Sequence, residues 1–302
     1  MSIQTAIAQL KQEKDFFIMA HTYQPLEIIE LSDRTGDSFA LAKAAREVKQ
    51  QNILLCGVRF MAESVKILAP EKNVWLPAPD ATCPMAEQIS PERVRAYKQS
   101  HPDAVVVAYI NTTAALKAEC DICVTSSSAL KIVSQIDAPE ILFIPDKNLG
   151  GWVKQQLPDK NIVLWDGYCP IHNALTEADV LAAKQAHPQA KVAMHPECPA
   201  ECLKHADAIG STAAIIQYAL QSKEPVIIGT ERGVADTLIP AHPDKTFYYL
   251  AKEKLVCPDM KKITPATVLS VLEGNAGENM QLEESLRLRA KKSIDAMLRL
   301  GE

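Results

Sequence analysis

Ile162-Val163-Leu164-Trp165-Asp166-Gly167-Tyr168-Cys169-Pro170 is a short apolar run leading to a Cys-Pro dipeptide, and this pattern occurs three times in the chain. Its counterparts are Val74-Trp75-Leu76 ahead of Cys83-Pro84, and Thr246 to Leu250 ahead of Cys257-Pro258. The cysteines stand 86 and 88 residues apart. A period of that length spans several elements, so the chain reads first as an internal threefold repeat.

The rest of the sequence keeps the period. Helix-start signals at Ser2, Ser90-Pro91, Thr176-Glu177-Ala178-Asp179 and Thr264-Pro265 follow at steps of 88, 86 and 88. Ser or Thr at such a position satisfies free amides, and Pro or an acid suits the turn that follows. After each of the first three comes a helical stretch and then a strand-like segment: Phe16 to Met19, Ala104 to Val107, Lys191 to Met194. Gly36-Asp37-Ser38, Ser126-Ser127-Ser128 and Gly210-Ser211-Thr212 then each open a helix. Second strands are expected at 52–57, 140–145 and 225–229, and third strands at 74–76, 162–165 and 246–250. Short apolar runs alternating with longer helical stretches argue parallel βαβ units and an α/β class. The expected organisation is three α/β units, residues 1–89, 90–175 and 176–263, with C-terminal helices over 264–302. Within that tail, 279–300 reads as one amphipathic helix and Glu273 to Gly277 as a glycine loop.

Composition narrows the class. The 302 residues are 47% hydrophobic and 23% charged, with a net charge of −5. No general positive field exists for nucleic acid or an anionic membrane. No apolar run approaches the roughly 18 residues needed to span a bilayer. The N-terminus lacks the basic and apolar regions of a secretory signal. A cytoplasmic enzyme is expected, its eight cysteines reduced.

A single cysteine in such a chain is ordinarily a small buried hydrophobe. Cys83, Cys169 and Cys257 differ, because a pseudo-threefold axis would bring three equivalent thiols to one point. The following proline places each near a helix start, where the dipole is expected to favour thiolate. Structural zinc takes four ligands from close pairs, and no second pair completes Cys120-Asp121-Ile122-Cys123. An iron-sulfur cluster suits three thiolates better, since four irons on three cysteines leave one iron open as a Lewis acid. An open iron points to hydroxyl abstraction, a dehydration. Cys56 reads as core, the Cys120/Cys123 pair stays open between core packing and a redox role, and Cys198 and Cys202 lie next to a candidate site and are candidates for a redox role.

In parallel sheets, ligands bind beyond the carboxyl ends of the strands. His21, Tyr23, Tyr109, Asn111, His195 and Glu197 all fall there, at matched positions of the three units. The hydroxyl turns behind them offer helix N-termini for phosphate or carboxylate, a role compatible with simple capping.

These residues together carry a resemblance. Ala20-His21-Thr22-Tyr23-Gln24, Gly57-Val58-Arg59-Phe60-Met61-Ala62-Glu63, Tyr109-Ile110-Asn111, Thr125-Ser126-Ser127, His195-Pro196-Glu197, Ile228-Gly229-Thr230-Glu231 and Cys257-Pro258-Asp259-Met260-Lys261 resemble the quinolinate synthase family over nearly the whole chain, Ala20 to Lys262. The resemblance implies three homologous α/β/α sandwich domains about a pseudo-threefold axis, with the active site and a [4Fe-4S] cluster at the centre. It implies Cys83, Cys169 and Cys257 as cluster ligands. It implies a condensation of iminoaspartate with dihydroxyacetone phosphate to quinolinate, phosphate and two waters, in NAD biosynthesis. Substrate-binding positions then fall on His21, Ser38, Tyr109, Ile110, Asn111, Ser126, His195, Pro196, Glu197 and Thr212. Glu197, His195, Tyr23, His21 and Tyr109 are the candidate catalytic residues. An iminoaspartate-producing L-aspartate oxidase or aspartate dehydrogenase is the implied functional partner. Departures from the family pattern are Ser128 in place of Asn, and Ala81-Thr82 where Ala-Gly is frequent. Two other readings stay open on the residues alone. A three-repeat binding protein would hold a fully ligated structural metal and turn nothing over. A [4Fe-4S] hydro-lyase acting on a simple hydroxy acid would need no phosphate site.

Overall fold

The computed structural model describes residues 2–301, and in those residues thirteen strands form three sheets. The first holds β1 (Phe16–His21), β2 (Arg34–Gly36), β3 (Asn52–Cys56) and β4 (Asn73–Leu76). The second holds β5 (Ala104–Tyr109), β6 (Ile122–Val124), β7 (Glu140–Ile144) and β8 (Ile162–Leu164). The third holds β9 (Lys191–Met194), β10 (Ala208–Ile209), β11 (Val226–Gly229) and β12 (Phe247–Tyr249). A short β13 (Glu278–Asn279) joins the edge of the first sheet, antiparallel to β4.

All the other pairings are parallel. Parallel neighbours require crossover connections, which the helices supply, so the class is α/β as expected. Within each sheet the four strands, counted in chain order, lie second, first, third, fourth. The central strands are covered on both faces, which is why Ile53 to Cys56, Ile141 to Ile144 and Val226 to Gly229 are continuous buried runs rather than alternating ones.

The sequence reading differs from the structure in two places. It passes from the first strand of each unit directly to a helix, whereas the chain first makes β2, β6 or β10. These strands are two or three residues long and partly exposed, too short to carry a period. Each is preceded by an aspartate that ties it to the first strand. Asp33, Asp121 and Asp207 accept the amide hydrogens of Ile18, Val106 and Val192 at 2.8, 2.8 and 2.9 Å. The aspartates' own amides donate back to the carbonyls of the same three residues. The second difference is the C-terminal helix, which begins at Glu284 rather than Asn279 and runs to Gly301. Asn279 is held in β13, and Gly274 and Gly277, at φ of +86° and +88°, turn the chain into that strand.

The helix-start signals hold. Ser2 caps the helix Ile3–Glu13, and Thr176 and Thr264 form capping boxes with Asp179 and Thr267. Ser90 stands at an N-cap before Pro91 without a side-chain bond.

Candidate active site

In each sheet the chain leaves the first strand to one side for the second and returns on the other side for the third. That order opens a crevice at the carboxyl end of the first strand. The three crevices contribute to one cavity of about 200 Å³. A water molecule needs roughly 10–15 Å³ on this measure, so the space suits a small-molecule substrate and more. His21 and Tyr109, the last residues of β1 and β5, and His195, just past β9, reach it from the carboxyl ends of the first strands, with Tyr23, Ile110, Asn111 and Glu197 close behind them. Ser38, Ser126 and Thr212 reach it from the hydroxyl turns, and Cys83, Cys169 and Cys257 from the loops after the fourth strands. Of the sequence-predicted site residues, Pro196 alone is not among those lining the cavity.

The two histidines are built alike. His21 Nδ1 accepts the Tyr23 amide at 3.1 Å, and His195 Nδ1 accepts the Glu197 amide at 3.3 Å. Each ring therefore carries its proton on Nε2. Burial, with the Lys261 charge, pulls His21 down to about 3, and burial pulls His195 down to about 4 against the opposing pull of Glu197. Both are neutral Nε2–H donors at pH 7.

Among the described residues lining the cavity there is no Lys or Arg. Anionic groups would therefore meet hydroxyls, imidazoles and helix amides. The capping of the turns bears on this. Asp37 and Ser211 cap the helices Ser38–Ala44 and Thr212–Gln221, which frees the Ser38 and Thr212 hydroxyls from that task.

A hydrogen-bond chain, part-buried at Tyr23 and buried at His172, crosses the site. Tyr23 Oη lies 2.8 Å from both Thr212 Oγ1 and Thr230 Oγ1. Thr230 Oγ1 lies 3.0 Å from His172 Nε2, and His172 Nδ1 lies 2.7 Å from Glu197 Oε2. Burial and the nearby Glu197 charge push Tyr23 and Tyr109 well above the usual phenol range. Burial alone would raise Glu197, but the flanking histidines outweigh it and hold the group below the usual carboxylate range. Its other oxygen, Oε1, is buried without a hydrogen-bond partner.

His172 was not read from the sequence. It stands three residues after Cys169, where the other two units carry Ala86 and Met260, so it has no counterpart to reveal it. Two carboxylates were missed as well. Asp146 Oδ2 accepts the Cys169 amide at 3.1 Å, and Glu231 Oε1 accepts the Cys257 amide at 3.1 Å. Val58 takes the corresponding place in the first unit. Burial, reinforced by Glu197, pushes Asp146 well above the usual carboxylate range. Glu231 is paired with Lys261 at 3.0 Å and also accepts the Gly233 amide at 2.7 Å. A Cβ on Gly233 would meet Glu231 Oε2 at 2.8 Å and the Tyr23 carbonyl at 2.9 Å, so only glycine fits there.

The three cysteines are free thiols. Cys83 and Cys169 stand at N-caps, while Cys257 lies two residues ahead of the corresponding position, at Asp259. The backbone amides that follow do favour the thiolates, those of Ala86, His172 and Met260 drawing Cys83, Cys169 and Cys257 down, but they are outweighed. Burial dominates, raising Cys83 to about 12, Cys257 to about 11 and Cys169 well above the thiol range. Three uncharged thiols facing one cavity, with no disulfide and no fourth cysteine beside them, fit a group that supplies its own positive charge. Cys198 and Cys202 are fully buried with raised thiol pKa values, which removes the exposure and thiolate character a redox role requires. Cys56 is a core residue, as read from the sequence, and so are Cys120 and Cys123, which the sequence left open.

Comparison with known proteins agrees with the geometry. Residues 5–299 match the family model described as NadA: Quinolinate synthetase A protein. The chain is 46% identical over 297 residues to the quinolinate synthase of Clostridioides difficile (strain 630), covering 98% of this chain and 97% of that one. It is 46% identical over 300 residues to the quinolinate synthase of Caldicellulosiruptor saccharolyticus, covering 99% and 98%. To quinolinate synthase 2 of Methanosarcina acetivorans it is 44% identical over 293 residues, covering 97% and 94%.

Proposed function

The chain belongs to the quinolinate synthase family, and from that premise we propose how the cavity performs the family's reaction. The function is quinolinate formation in NAD biosynthesis, from iminoaspartate and dihydroxyacetone phosphate. The binding-protein and simple hydro-lyase readings fall with that membership.

Cys83, Cys169 and Cys257 hold a [4Fe-4S] cluster in this reading, one from each sheet. When bound, such a cluster would supply Lewis acidity for loss of hydroxyl in the final dehydration. The observation that carries the assignment is the convergence of three free thiols and the polar strand-end groups of three sheets on one cavity. The pseudo-threefold arrangement and the unit boundaries near 90, 176 and 264 belong to the same proposal, supported by the shared strand order.

The remaining work falls to side chains. The Nε2–H groups of His21 and His195, the Asn111 amide and the hydroxyls of Ser38, Ser126 and Thr212 bind the phosphate and the two carboxylates. Ile110 and Pro196 shape the loops that carry Asn111 and Glu197. Carbon–carbon bond formation, isomerisation and ring closure all need proton transfer. Glu197, kept ionised and with a free oxygen, is the base, and Tyr109 stands beside it as a donor. The chain from Tyr23 through Thr230 and His172 to Glu197 connects two proton carriers without passing through bulk water. Enclosure among the three sheets protects the hydrolysable imine.

Free cysteines support placement in a reducing cytoplasm. Among the described residues no helix is long and apolar enough to cross a membrane. An L-aspartate oxidase or aspartate dehydrogenase is the partner activity proposed to supply iminoaspartate. Glu197→Gln tests the site. Anaerobic protein should keep its iron and lose about a hundredfold or more in turnover. Near-normal turnover would move the base to Tyr23.

A further inference from the structure

We propose that Cys169, His172 and Glu197 form a mononuclear zinc site, filled when the three cysteines are not sharing a cluster. One ligand atom from each residue lies within 4.8 Å of the other two. His172 Nδ1 is 3.3 Å from Cys169 Sγ and 2.7 Å from Glu197 Oε2. Tetrahedral zinc with bonds of about 2.0–2.3 Å separates such ligands by roughly 3.3–3.5 Å. Shifts on the order of an ångström would seat the ion.

Two further observations point to a cation here. Glu197 is 3% exposed, and its Oε1 has no hydrogen-bond partner. The Tyr109 hydroxyl stands beside Glu197 but makes no bond to this oxygen, which is left short of partners at a cost that a bound cation would remove. His172 is 2% exposed and has the outer contact typical of a metal ligand, with Nε2 at 3.0 Å from Thr230 Oγ1 and Nδ1 facing the other two groups.

The donor set selects the metal class. One sulfur, one nitrogen and one oxygen exclude magnesium and calcium, which take oxygen ligands, and suit zinc. Three protein ligands leave a fourth position for water. Binding forms three coordinate bonds. It releases the Cys169 thiol proton to solvent, leaves the single proton of the His172 ring on Nε2, where it can be donated to Thr230 Oγ1, and needs no oxidant or reductant. Cys169 cannot serve both sites at once. Zinc would therefore block cluster assembly and occupy Glu197 in the same event. That competition rests on the cluster reading, whereas the zinc site itself does not.

The test uses the full chain, prepared iron-free under anaerobic reducing conditions and titrated with Co²⁺ as a spectroscopic probe and with Zn²⁺ against a chromophoric chelator. One metal per chain is expected, with a single-thiolate charge-transfer band. Affinity should be unchanged in Cys83→Ser and Cys257→Ser. It should fall in His172→Gln by more than the roughly 10–100-fold that losing an outer contact costs. Melting curves keep unfolding apart from ligand loss, and Glu197→Gln provides a second ligand deletion. A three-thiolate band, dependence on Cys83 or Cys257, unchanged affinity in His172→Gln, or no binding would each overturn the proposal. The two readings fail separately. Cobalt binding that needs Cys83 sinks the zinc site, and iron binding that does not need Cys83 sinks the cluster.

Discussion

Ser211 and Thr212 divide between them two tasks that a sequence leaves merged in one turn. Ser211 Oγ accepts the Ala214 amide at 3.3 Å and caps the helix, while Thr212 Oγ1 faces the cavity and lies 2.8 Å from Tyr23 Oη. Ser211→Ala should therefore cost on the order of 1 kcal/mol of stability with little change in substrate affinity. Thr212→Ala should do the reverse, weakening substrate binding by about 1.5–3 kcal/mol, the worth of a hydrogen bond to a charged group. Thermal melts and substrate Kd on both variants decide the matter. A stability loss without an affinity loss in Thr212→Ala would return that hydroxyl to packing. The polar strand-end residues were legible because they recur at a fixed period beside a recognisable strand. His172 was not, since the equivalent positions hold Ala86 and Met260 and a lone histidine reads as loop or core. Asp146 and Glu231 were hidden for a similar reason, Val58 having broken their pattern.

At the scale of elements, the first strands are pinned by three aspartates at one period, Asp33, Asp121 and Asp207. Each closes the edge of a sheet next to the crevice, so the position of the catalytic strand end depends on it. Val192 is fully buried, and Asp207→Ala would leave its amide without an acceptor. That change should cost about 1–3 kcal/mol in chemical denaturation, and Asp207→Asn, which keeps an acceptor oxygen, should recover most of it. Equal loss in both variants would mean that the carboxylate acts through charge, for which Lys191 at 3.7 Å is the available partner. The long buried strands were readable from their apolar runs. The short strands beside them were not, because two or three residues carry no period and the backbone tie to an aspartate leaves no trace in hydrophobicity. The late start of the C-terminal helix has the same origin, since β13 is fixed by pairing with β4, a contact distant in sequence.

Over the whole molecule, three sheets of one strand order each send a polar strand end, a hydroxyl turn and a cysteine loop to a common cavity. The packing beneath is not threefold. A continuous core runs through the first and second sheets and the C-terminal helices, whereas the third sheet has its own core on each face. The strand order common to the three sheets was foreshadowed by the spacing of the Cys-Pro dipeptides. The uneven core was not, because it depends on where the C-terminal helices dock. The central claim is that Cys83, Cys169 and Cys257 share one cluster with one iron left open. Iron per chain, measured after anaerobic preparation of the parent protein, the three Cys→Ser variants and Cys120→Ala, tests it most directly. The account predicts close to four irons in the parent and in Cys120→Ala, and loss of the cluster in each of the other three. A four-iron cluster that survives replacement of Cys83, Cys169 or Cys257 would contradict it.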